Sequence, residues 1–290
     1  MSLRVLVIGG SGLLGRALAR HTPPDAVCLA PSRTELPLEA ADAITRFVRD
    51  HAISRVLLLA AWTRVDDCEA DPERAFRVNG VWPARAARAA VAAGASVLFL
   101  STDYVFDGQA DHAYREYDRT GPLNVYGASK LFGEEAIRAA SIGATIIRTS
   151  GLYGAGGPDF VSAIRARLAM EGPITVVDDQ MLAPTSVEDL APALWTIARA
   201  PEPGTLHLTA TGSASWWEVA REIALREGGD SKRVTPISSE SLARPARRPK
   251  HSVLSVQTAR ELYGVTLPPW QDSIARHLAA GVQQRGGGAR

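Results

Sequence analysis

Residues 3–21 read LRVLVI-GGSGLLG-RALARH, an apolar run that leads directly into a glycine-rich turn and then into an amphipathic stretch. The apolar run has the composition of a buried strand, and the amphipathic stretch has the period of a helix. The glycines fit both G-x-G-x-x-G and G-x-x-G-x-x-G, and a turn of this kind between a strand and a helix binds a diphosphate through backbone N–H groups and the helix N-terminus. The stretch predicts a dinucleotide site that includes Gly9, Ser11, Gly12, Leu13 and Gly15.

Similar apolar runs alternate with amphipathic stretches along the chain. Those that we predict to be strands are Leu3–Ile8, Ala26–Ala30, Arg55–Ala61, Ser96–Leu100, Ala144–Arg148 and Ile174–Val177. A continuous apolar run such as residues 56–61 is typical of a parallel strand that is covered on both faces. The pattern predicts an α/β fold with a doubly wound parallel sheet of the Rossmann type.

The composition changes after Arg148, where four glycines and a proline within residues 151–158 indicate an exposed loop. We therefore predict a cofactor-binding domain over residues 1–150 and a smaller, mainly substrate-binding C-terminal lobe over residues 151–290. The glycine-rich tail, residues 283–290, is predicted to be disordered.

Charge and composition narrow the class of partner. The 290 residues carry a formal net charge of +1, with 22% charged residues, so no broad basic surface for nucleic acid or an anionic membrane is expected. No uninterrupted apolar stretch reaches the ~18 residues of a membrane span, and no secretory leader precedes the first strand. Two cysteines without metal-ligand spacing fit a reducing compartment. We expect a cytoplasmic protein with a small-molecule ligand.

The loop after the second strand should select the cofactor. NAD-preferring sites place a carboxylate there for the ribose hydroxyls, whereas this chain reads APSR over residues 30–33. Ser32 and Arg33 can hold a 2′-phosphate, so NADPH is favoured, with NADH as the alternative and a merely solvated Arg33 as the competing interpretation. Ala60, Ala61 and Trp62 end the third strand, where small residues would let the cofactor lie against the sheet.

Tyr126 and Lys130 stand four residues apart in NVYGASK, residues 124–130, and Lys130 is one of only three lysines among 32 basic residues. Side chains at this spacing on a helix share a face, so both would point into one pocket. A nearby ammonium favours phenolate and should lower the pKa of Tyr126 toward the range useful for acid–base catalysis. Thr102 lies at the carboxyl edge of the sheet, where ligands bind. We predict hydride transfer to a ketone, with Tyr126 protonating the alkoxide, Thr102 hydrogen-bonded to it and Lys130 also holding the nicotinamide ribose.

Longer stretches carry a resemblance. They are AAWTRVDDCE (residues 60–69), STDYVFDG (101–108), GPLNVYGASKLFGE (121–134), RTS (148–150), DDQMLAPT (178–185), RPKHSVL (248–254) and LPPW (267–270). In this order they resemble the extended short-chain dehydrogenases/reductases, and within them the dTDP-4-dehydrorhamnose reductase family. The resemblance implies NADPH-dependent reduction of the C4 ketone of a nucleotide-linked 4-keto-6-deoxyhexose, with dTDP-4-dehydro-L-rhamnose, which gives dTDP-L-rhamnose, as the leading substrate.

The same resemblance implies roles for individual residues. Thr102, Tyr126 and Lys130 would be catalytic. The residues implied near the substrate are Thr63, Val65, Thr102, Asp103, Tyr126 and Gly151, with Arg248 near its nucleotide. Residues 171–198 are implied to return to the cofactor domain as a strand and a helix. A homodimer is also expected; no metal ligands are predicted, although Mg²⁺ at a dimer contact is left open.

Two features leave alternatives open. The family usually has Trp where this chain has Gly151, which puts the identity of the sugar in question and offers Trp62 as a replacement surface. The basic run Arg244, Arg247, Arg248 and Lys250 is either a diphosphate clamp or a solvated loop.

Other functions on this fold are less consistent with the residues. A dehydratase would have Glu where Tyr104 follows Asp103, and an epimerase would have an acidic residue after the second strand. The remaining alternatives are a 4-ketoreductase of another dTDP-deoxysugar in specialised metabolism and a non-catalytic NADP-binding protein that resembles the regulatory subunit of methionine adenosyltransferase.

Overall fold

The protein is described by a computed structural model that covers residues 2–140 and 143–286. Its strands are β1 Leu3–Ile8, β2 Ala26–Leu29, β3 Arg55–Leu58, β4 Ser96–Thr102, β5 Thr145–Thr149, β6 Leu152–Tyr153, β7 Ile174–Val177, β8 Met181–Leu182, β9 Thr185–Ser186, β10 Gly204–His207, β11 Ala214–Ser215 and β12 Val234–Ile237. Its α-helices are α1 Leu13–Arg20, α2 Ala41–Asp50, α3 Val65–Ala70, α4 Pro72–Phe76, α5 Trp82–Ala92, α6 Val125–Ala139, α7 Phe160–Leu168, α8 Val187–Arg199, α9 Trp216–Arg226, α10 Gln257–Tyr263 and α11 Trp270–Gly286.

Six strands form one parallel sheet in the order β10-β5-β4-β3-β1-β2. The chain moves outward from β1 to β2, then crosses back to β3 and continues in the opposite direction to β10. The carboxyl ends of β1 and β3 therefore flank a topological switch point, the place where such sheets bind ligands. The predicted doubly wound α/β fold is confirmed.

Successive side chains of each central strand enter different hydrophobic clusters. Val5 and Val7 pack with α1 and α8 on one face, whereas Leu6 and Ile8 pack with α2 and α5 on the other. Such alternation is the consequence of a strand that is buried on both faces, and it explains the continuous apolar runs of the sequence.

The edge strand β10, which pairs with β5, was not predicted. Its four residues, GTLH, are too short and too polar to stand out as an apolar run. The expected return of residues 171–198 to the cofactor domain is wrong for its strand, because β7 pairs with β12 in a separate two-stranded sheet. The helix of that segment, α8, packs on the large sheet, and Trp195 Nε1 donates to the Leu18 carbonyl of α1 at 3.0 Å.

The smaller strands and helices after Gly151 bury a third hydrophobic cluster. It joins α7, α9, β7, β12 and the start of α11 around side chains such as Ile164, Ile174 and Ile223. Residues 283–286 continue α11, and residues 287–290 lie outside the described residues, so the disordered tail stays a prediction. Within the described residues, no helix combines the length and apolarity needed to cross a membrane.

Candidate active site

The glycine-rich turn leaves room only for backbone. Gly9 has φ +102°, and a Cβ there would lie 2.6 Å from the Ala60 nitrogen. A Cβ on Gly15 would lie 2.5 Å from Gly10 Cα. Helix α1 begins after Gly12, which has no side chain to cap the first N–H groups, so these donors remain open to a bound anion. The turn therefore has the form that a dinucleotide diphosphate requires.

A cavity of about 670 Å³ extends from this turn along the carboxyl ends of β1, β3, β4 and β5 to helix α6. The predicted site residues that line it are Gly9, Ser11, Gly12, Leu13, Gly15, Arg33, Ala60, Ala61, Thr63, Thr102, Asp103, Tyr126, Lys130 and Gly151. Four others, Ser32, Trp62, Val65 and Arg248, lie outside this lining. The fold thus brings the proposed cofactor and catalytic residues into one continuous space.

Ser32 binds a carboxylate that the sequence interpretation overlooked. Its backbone N–H donates to Glu35 Oε2 at 2.7 Å, and this hydrogen bond holds the pKa of Glu35 below its ordinary value. The loop after β2 therefore does contain a carboxylate, three residues beyond Ser32, and the expectation that none is available there is wrong. Arg33, in contrast, lines the cavity.

Trp62 is held by groups outside the cavity. The Arg74 guanidinium lies 4.4 Å from the centre of the Trp62 ring, and the Trp62 backbone N–H donates to Asn79 Oδ1 at 2.7 Å. Asn79 is fully buried in a π-helical turn, Arg77–Val81, between α4 and α5. The ring is thus engaged by Arg74, which does not favour Trp62 as a replacement wall for the sugar.

Arg248 is already paired within the protein. Its Nη1 and Nη2 each donate to a carboxylate oxygen of Asp66 at 2.7 Å, and its side chain is only 9% exposed. Asp66 lies in the first turn of α3, immediately after Val65, so this pair ties the 244–250 segment to the loop that follows β3. A second cavity, of about 310 Å³, is lined by Arg244, Arg247, Arg248 and Lys250.

Helix α6 positions the Tyr126 and Lys130 side chains. Asn124 caps the helix by accepting from the Gly127 N–H at 2.8 Å, and Glu69 accepts from the Val125 N–H at 2.8 Å. Tyr126 therefore sits in the first turn and Lys130 one turn later on the same face, as their spacing predicted. Both line the large cavity.

Lys130 is 2% exposed. Its Nζ donates to the Leu100 carbonyl at 2.6 Å and lies 4.0 Å from the centre of the Phe99 ring. Burial disfavours the ammonium and lowers the pKa of Lys130 to about 7, although the Glu134 carboxylate opposes this shift. The lysine is thus held close to its titration point near neutral pH.

The pKa of Tyr126 moves in the direction opposite to the predicted one. Burial raises it above the ordinary value of a phenol, and the neighbouring Thr102 hydroxyl offsets this only in part. The nearby Asp103 carboxylate raises it further. Tyr126 is consequently a phenol rather than a phenolate at neutral pH, which suits a proton donor.

The Asp103 carboxyl, 3% exposed, is surrounded by hydroxyl groups. Oδ1 accepts from the Thr102 hydroxyl at 3.0 Å, and Oδ2 accepts from the Ser150 and Ser252 hydroxyls at 2.7 and 2.6 Å. Burial raises the pKa of Asp103 despite these hydrogen bonds. Thr102 ends β4, Ser150 follows β5 and Ser252 lies in the 248–254 segment. The Asp103 carboxyl therefore connects these three parts of the chain.

Known proteins of similar sequence and structure indicate the family of this chain. A family model described as "RmlD substrate binding domain" matches residues 3–282. A dTDP-4-dehydrorhamnose reductase from Streptomyces griseus is 42% identical over 287 residues, which cover 96% of this chain and 93% of that protein. The chain belongs to the dTDP-4-dehydrorhamnose reductase family. The family predicted from the sequence is confirmed.

Two further relatives bear on cofactor and substrate. The crystal structure of dTDP-4-dehydrorhamnose reductase from Bacillus anthracis in complex with NADP superposes with a TM-score of 0.91 at 30% identity, covering 97% of this chain and 100% of that one. A probable dTDP-4,6-dihydroxy-2-methyloxan-3-one 4-ketoreductase from Streptomyces antibioticus is 36% identical over 277 residues, covering 94% of this chain and 93% of that protein. The relatives of this chain therefore include proteins named for different 4-keto sugars.

Gly151 has a backbone that disfavours a side chain. Its φ is +56°, and a Cβ would lie 2.7 Å from Leu182 Cδ1 and 3.1 Å from Pro184 Cα. The residue lines the cavity, so neighbouring side chains such as Leu152 form this part of the wall.

Sequence reasoning gave no role to three side chains that hold the site together. Ser150, Ser252 and Asp66 all stand in stretches that resemble this reductase family. Their spacing in the sequence does not reveal that the two serines bind Asp103 and that Asp66 binds Arg248. A hydroxyl two residues after the predicted strand Ala144–Arg148, as at Ser150, was the one local indication. Among the described residues, no group of three or more His, Cys, Asp or Glu side chains could hold a metal ion.

Proposed function

We propose that the protein is an NADPH-dependent reductase of the C4 ketone of a dTDP-linked 4-keto-6-deoxyhexose, with dTDP-4-dehydro-L-rhamnose as substrate and dTDP-L-rhamnose as product. The observation that carries this proposal is the position of Tyr126, Lys130 and Thr102 on the wall of the cavity that begins at the glycine-rich turn. The S. griseus and B. anthracis relatives, both named dTDP-4-dehydrorhamnose reductase, support it.

The residues present fit a dinucleotide. The open N–H groups at the start of α1 would hold the diphosphate, and Ala60 and Ala61 leave space beside the sheet. Lys130 would hold the ribose next to the reacting ring. When bound, the reduced nicotinamide supplies the hydride.

Tyr126 would provide the proton in this reaction. The phenol is protonated because burial raises its pKa, so it can donate to the oxygen of a ketone as negative charge develops there. The Thr102 hydroxyl, on the same wall, would orient that oxygen. Reduction thus uses the resting protonation state of the site, with no prior loss of a proton from Tyr126.

NADPH is the preferred cofactor in this proposal because Arg33 lines the cavity and offers a guanidinium for a 2′-phosphate. The NADP complex of the B. anthracis relative supports the same choice. Glu35, bound to the Ser32 N–H beside Arg33, would repel a 2′-phosphate, so NADH remains the secondary cofactor.

We place the substrate nucleotide toward the second cavity, in the part of the chain after Gly151 that forms the proposed substrate-binding lobe. Arg248 is neutralised by Asp66 and Lys250 lies 3.7 Å from Glu240 Oε1, which leaves Arg244 and Arg247 as the main cations for a diphosphate. Arg248 would then act by fixing the segment rather than by clamping phosphate directly. A cytoplasmic location and a homodimer stay predictions, and Mg²⁺ at a dimer contact stays open.

A second candidate function is the 4-keto reduction of a different dTDP-deoxysugar. Gly151 supports this second function, because the aromatic wall expected from the resemblance is absent at that position. The S. antibioticus relative, which is named as a probable 4-ketoreductase of another dTDP-linked sugar, supports it as well. A purely regulatory NADP-binding role is disfavoured by the intact arrangement of Tyr126, Lys130 and Thr102.

The decisive experiment follows NADPH absorbance with a panel of enzymatically made 4-keto sugar nucleotides. We expect turnover with dTDP-4-dehydro-L-rhamnose, and at least ~10²-fold slower turnover in Tyr126→Phe with unchanged NADPH affinity. Tyr117→Phe is the matched control, because Tyr117 is 76% exposed. Faster turnover of another 4-keto sugar would favour the second candidate, and NADPH binding without consumption of any panel member would overturn both.

A further inference from the structure

The hydrogen bonds around Asp103 raise a conflict for the neighbouring Thr102. When the carboxyl is ionised it has no proton to give, so the hydrogen bond between Thr102 Oγ1 and Asp103 Oδ1, 3.0 Å long, uses the proton of Thr102. Thr102 Oγ1 also accepts from the Tyr104 N–H at 3.3 Å. In this state Thr102 has no proton left for a ketone oxygen in the cavity.

A neutral carboxyl reverses this arrangement. Oδ2 already accepts from two serine hydroxyls, and the Ser252 hydroxyl has only a weak alternative in the Met181 carbonyl at 3.5 Å. The proton of a neutral Asp103 therefore belongs on Oδ1, where it faces Thr102. Thr102 Oγ1 would then accept from the carboxyl, and its own proton would be free to point toward the cavity.

We propose that Asp103 is a positioning residue that sets the donor direction of the Thr102 hydroxyl, and that its neutral form frees Thr102 to donate to the substrate ketone beside Tyr126. This inference rests on the proposed reduction. It adds the requirement that Asp103 be neutral, although Asp103 transfers no proton to the substrate. Tyr126 still delivers the proton, and the hydrogen bond from Thr102 stabilises the developing alkoxide.

The surroundings of Asp103 favour the neutral form. No Lys, Arg or His within the described residues forms an ion pair with Asp103, and the carboxyl is held by hydroxyls alone. A carboxylate without a cation is disfavoured when it is buried. The direction of its pKa shift agrees with this geometry.

Several titratable or charged groups face this carboxyl from the elements packed around it and would shape any pH profile. Tyr104 follows it in the chain and Tyr126 faces it from α6, one turn before Lys130, whereas Arg248 and His251 lie on the segment that carries Ser252. Burial keeps the pKa of both tyrosines above the ordinary phenol value, so neither accounts for a fall in activity that begins below the phenol range. Lys130 can contribute to such a fall, and the test must separate it from Asp103.

The test compares the pH dependence of kcat and KM for the wild type and Asp103→Asn. The serines require an acceptor, so the amide oxygen should replace Oδ2 and the amide N–H₂ should donate to Thr102, as the neutral carboxyl does. Because the amide preserves these hydrogen bonds, we expect the variant to remain active near neutral pH, and its pH profile is scaled to its own maximal kcat. The alkaline fall in kcat should move upward by at least about one pH unit, since an amide does not ionise. Asp111→Asn, at a fully exposed aspartate, is the control.

Ser252→Ala provides an independent variant. Removing one donor to the carboxylate raises the pKa of Asp103, so the alkaline fall should again move to higher pH. In a Thr102→Val background, which lowers kcat about 10²-fold by loss of one donor to the alkoxide, Asp103→Asn should no longer change the shape of the profile. A contribution from Lys130 would survive in that background, and this separates the two groups.

The outcomes distinguish this inference from the proposed function. If the wild type reduces no 4-keto sugar nucleotide, the proposed function fails first. If the wild type is active but the profiles of Asp103→Asn and Ser252→Ala superimpose on its own, or if the Asp103→Asn effect persists without the Thr102 hydroxyl, the reduction stands and the role of Asp103 is wrong.

Discussion

The Arg248 guanidinium and the Asp66 carboxylate face each other through two hydrogen bonds of 2.7 Å, and this pair connects a C-terminal segment to the loop after the third strand. The same segment is tied to the catalytic helix, because the Asn124 side chain donates to the Arg247 carbonyl at 2.7 Å. These contacts therefore hold residues 246–248 beside the start of α3 and the N-terminus of α6. The pair also holds the pKa of Asp66 below its ordinary value.

Asp66→Ala should loosen this segment and weaken substrate binding. It leaves the largely buried Arg248 without its partner, so we expect a loss of about 1–2 kcal/mol in unfolding free energy and a rise in KM for the sugar nucleotide, with NADPH affinity unchanged. Urea unfolding and steady-state kinetics measure both. Asp67→Ala is the matched control, because Asp67 pairs only with the exposed Arg64. Equal effects of the two substitutions would contradict a specific role for the pair.

Lys130 should destabilise the fold at neutral pH. Its pKa is about 7 in the folded protein against an ordinary value of 10.5, so between these values the unfolded chain binds more protons and wild-type stability rises with pH. Lys130→Met removes the buried ammonium and should raise unfolding free energy by on the order of 1–4 kcal/mol at or below about pH 7, a gain that fades toward about pH 10.5.

The measurement is urea unfolding of Lys130→Met across that pH range, together with its activity, which should be lost. Lys232→Met at an exposed lysine serves as the control. A stability difference between Lys130→Met and the wild type that does not depend on pH would show that the lysine is not desolvated as described.

Cofactor choice should depend on two side chains of opposite charge in the loop after β2. Arg33→Ala removes the cation for a 2′-phosphate, and we expect the ratio of NADPH to NADH in kcat/KM to fall at least about tenfold, since a hydrogen bond to a charged group contributes about 1.5–3 kcal/mol. Glu35→Gln should change the ratio in the opposite direction. Arg46→Ala, at an exposed arginine of α2, is the control. An unchanged ratio in Arg33→Ala would contradict the assignment.

Features set by residues close together in the sequence could be predicted, whereas features set by contacts between distant residues could not. The strand–turn–helix at Gly9–Gly15 and the shared face of Tyr126 and Lys130 follow from local periodicity, and both are found in the structure. The pKa of Tyr126 was predicted in the wrong direction because its burial depends on the whole fold. Partners such as Asp66 and Arg248, 182 residues apart, meet only through tertiary packing.

The edge strand β10 and the pairing of β7 illustrate the same limit. Ile174–Val177 has the composition of a parallel strand, but composition does not specify the sheet that it joins, and its partner Val234–Ile237 lies in a segment with little strand character. The carboxylate of Glu35 escaped prediction for a related reason, since a tight turn, not a motif, brings it back to Ser32.

Gly151 provides the last prediction, because two separate effects oppose a side chain there. Its φ of +56° is strained for other residues, and a Cβ would lie 2.7 Å from Leu182 Cδ1. Gly264 has a similar φ of +64°, but a Cβ there would have no neighbouring atom within 4 Å, so Gly264→Ala isolates the backbone effect. We expect Gly264→Ala to lose about 1 kcal/mol and Gly151→Ala to lose about 1–3 kcal/mol more. Leu182→Ala should relieve that additional loss, visible as a coupling of about 0.5–3 kcal/mol in a double-mutant cycle. Additive effects would mean that the Leu182 side chain moves aside freely, and an aromatic residue could then be introduced at position 151 to narrow the range of sugars reduced.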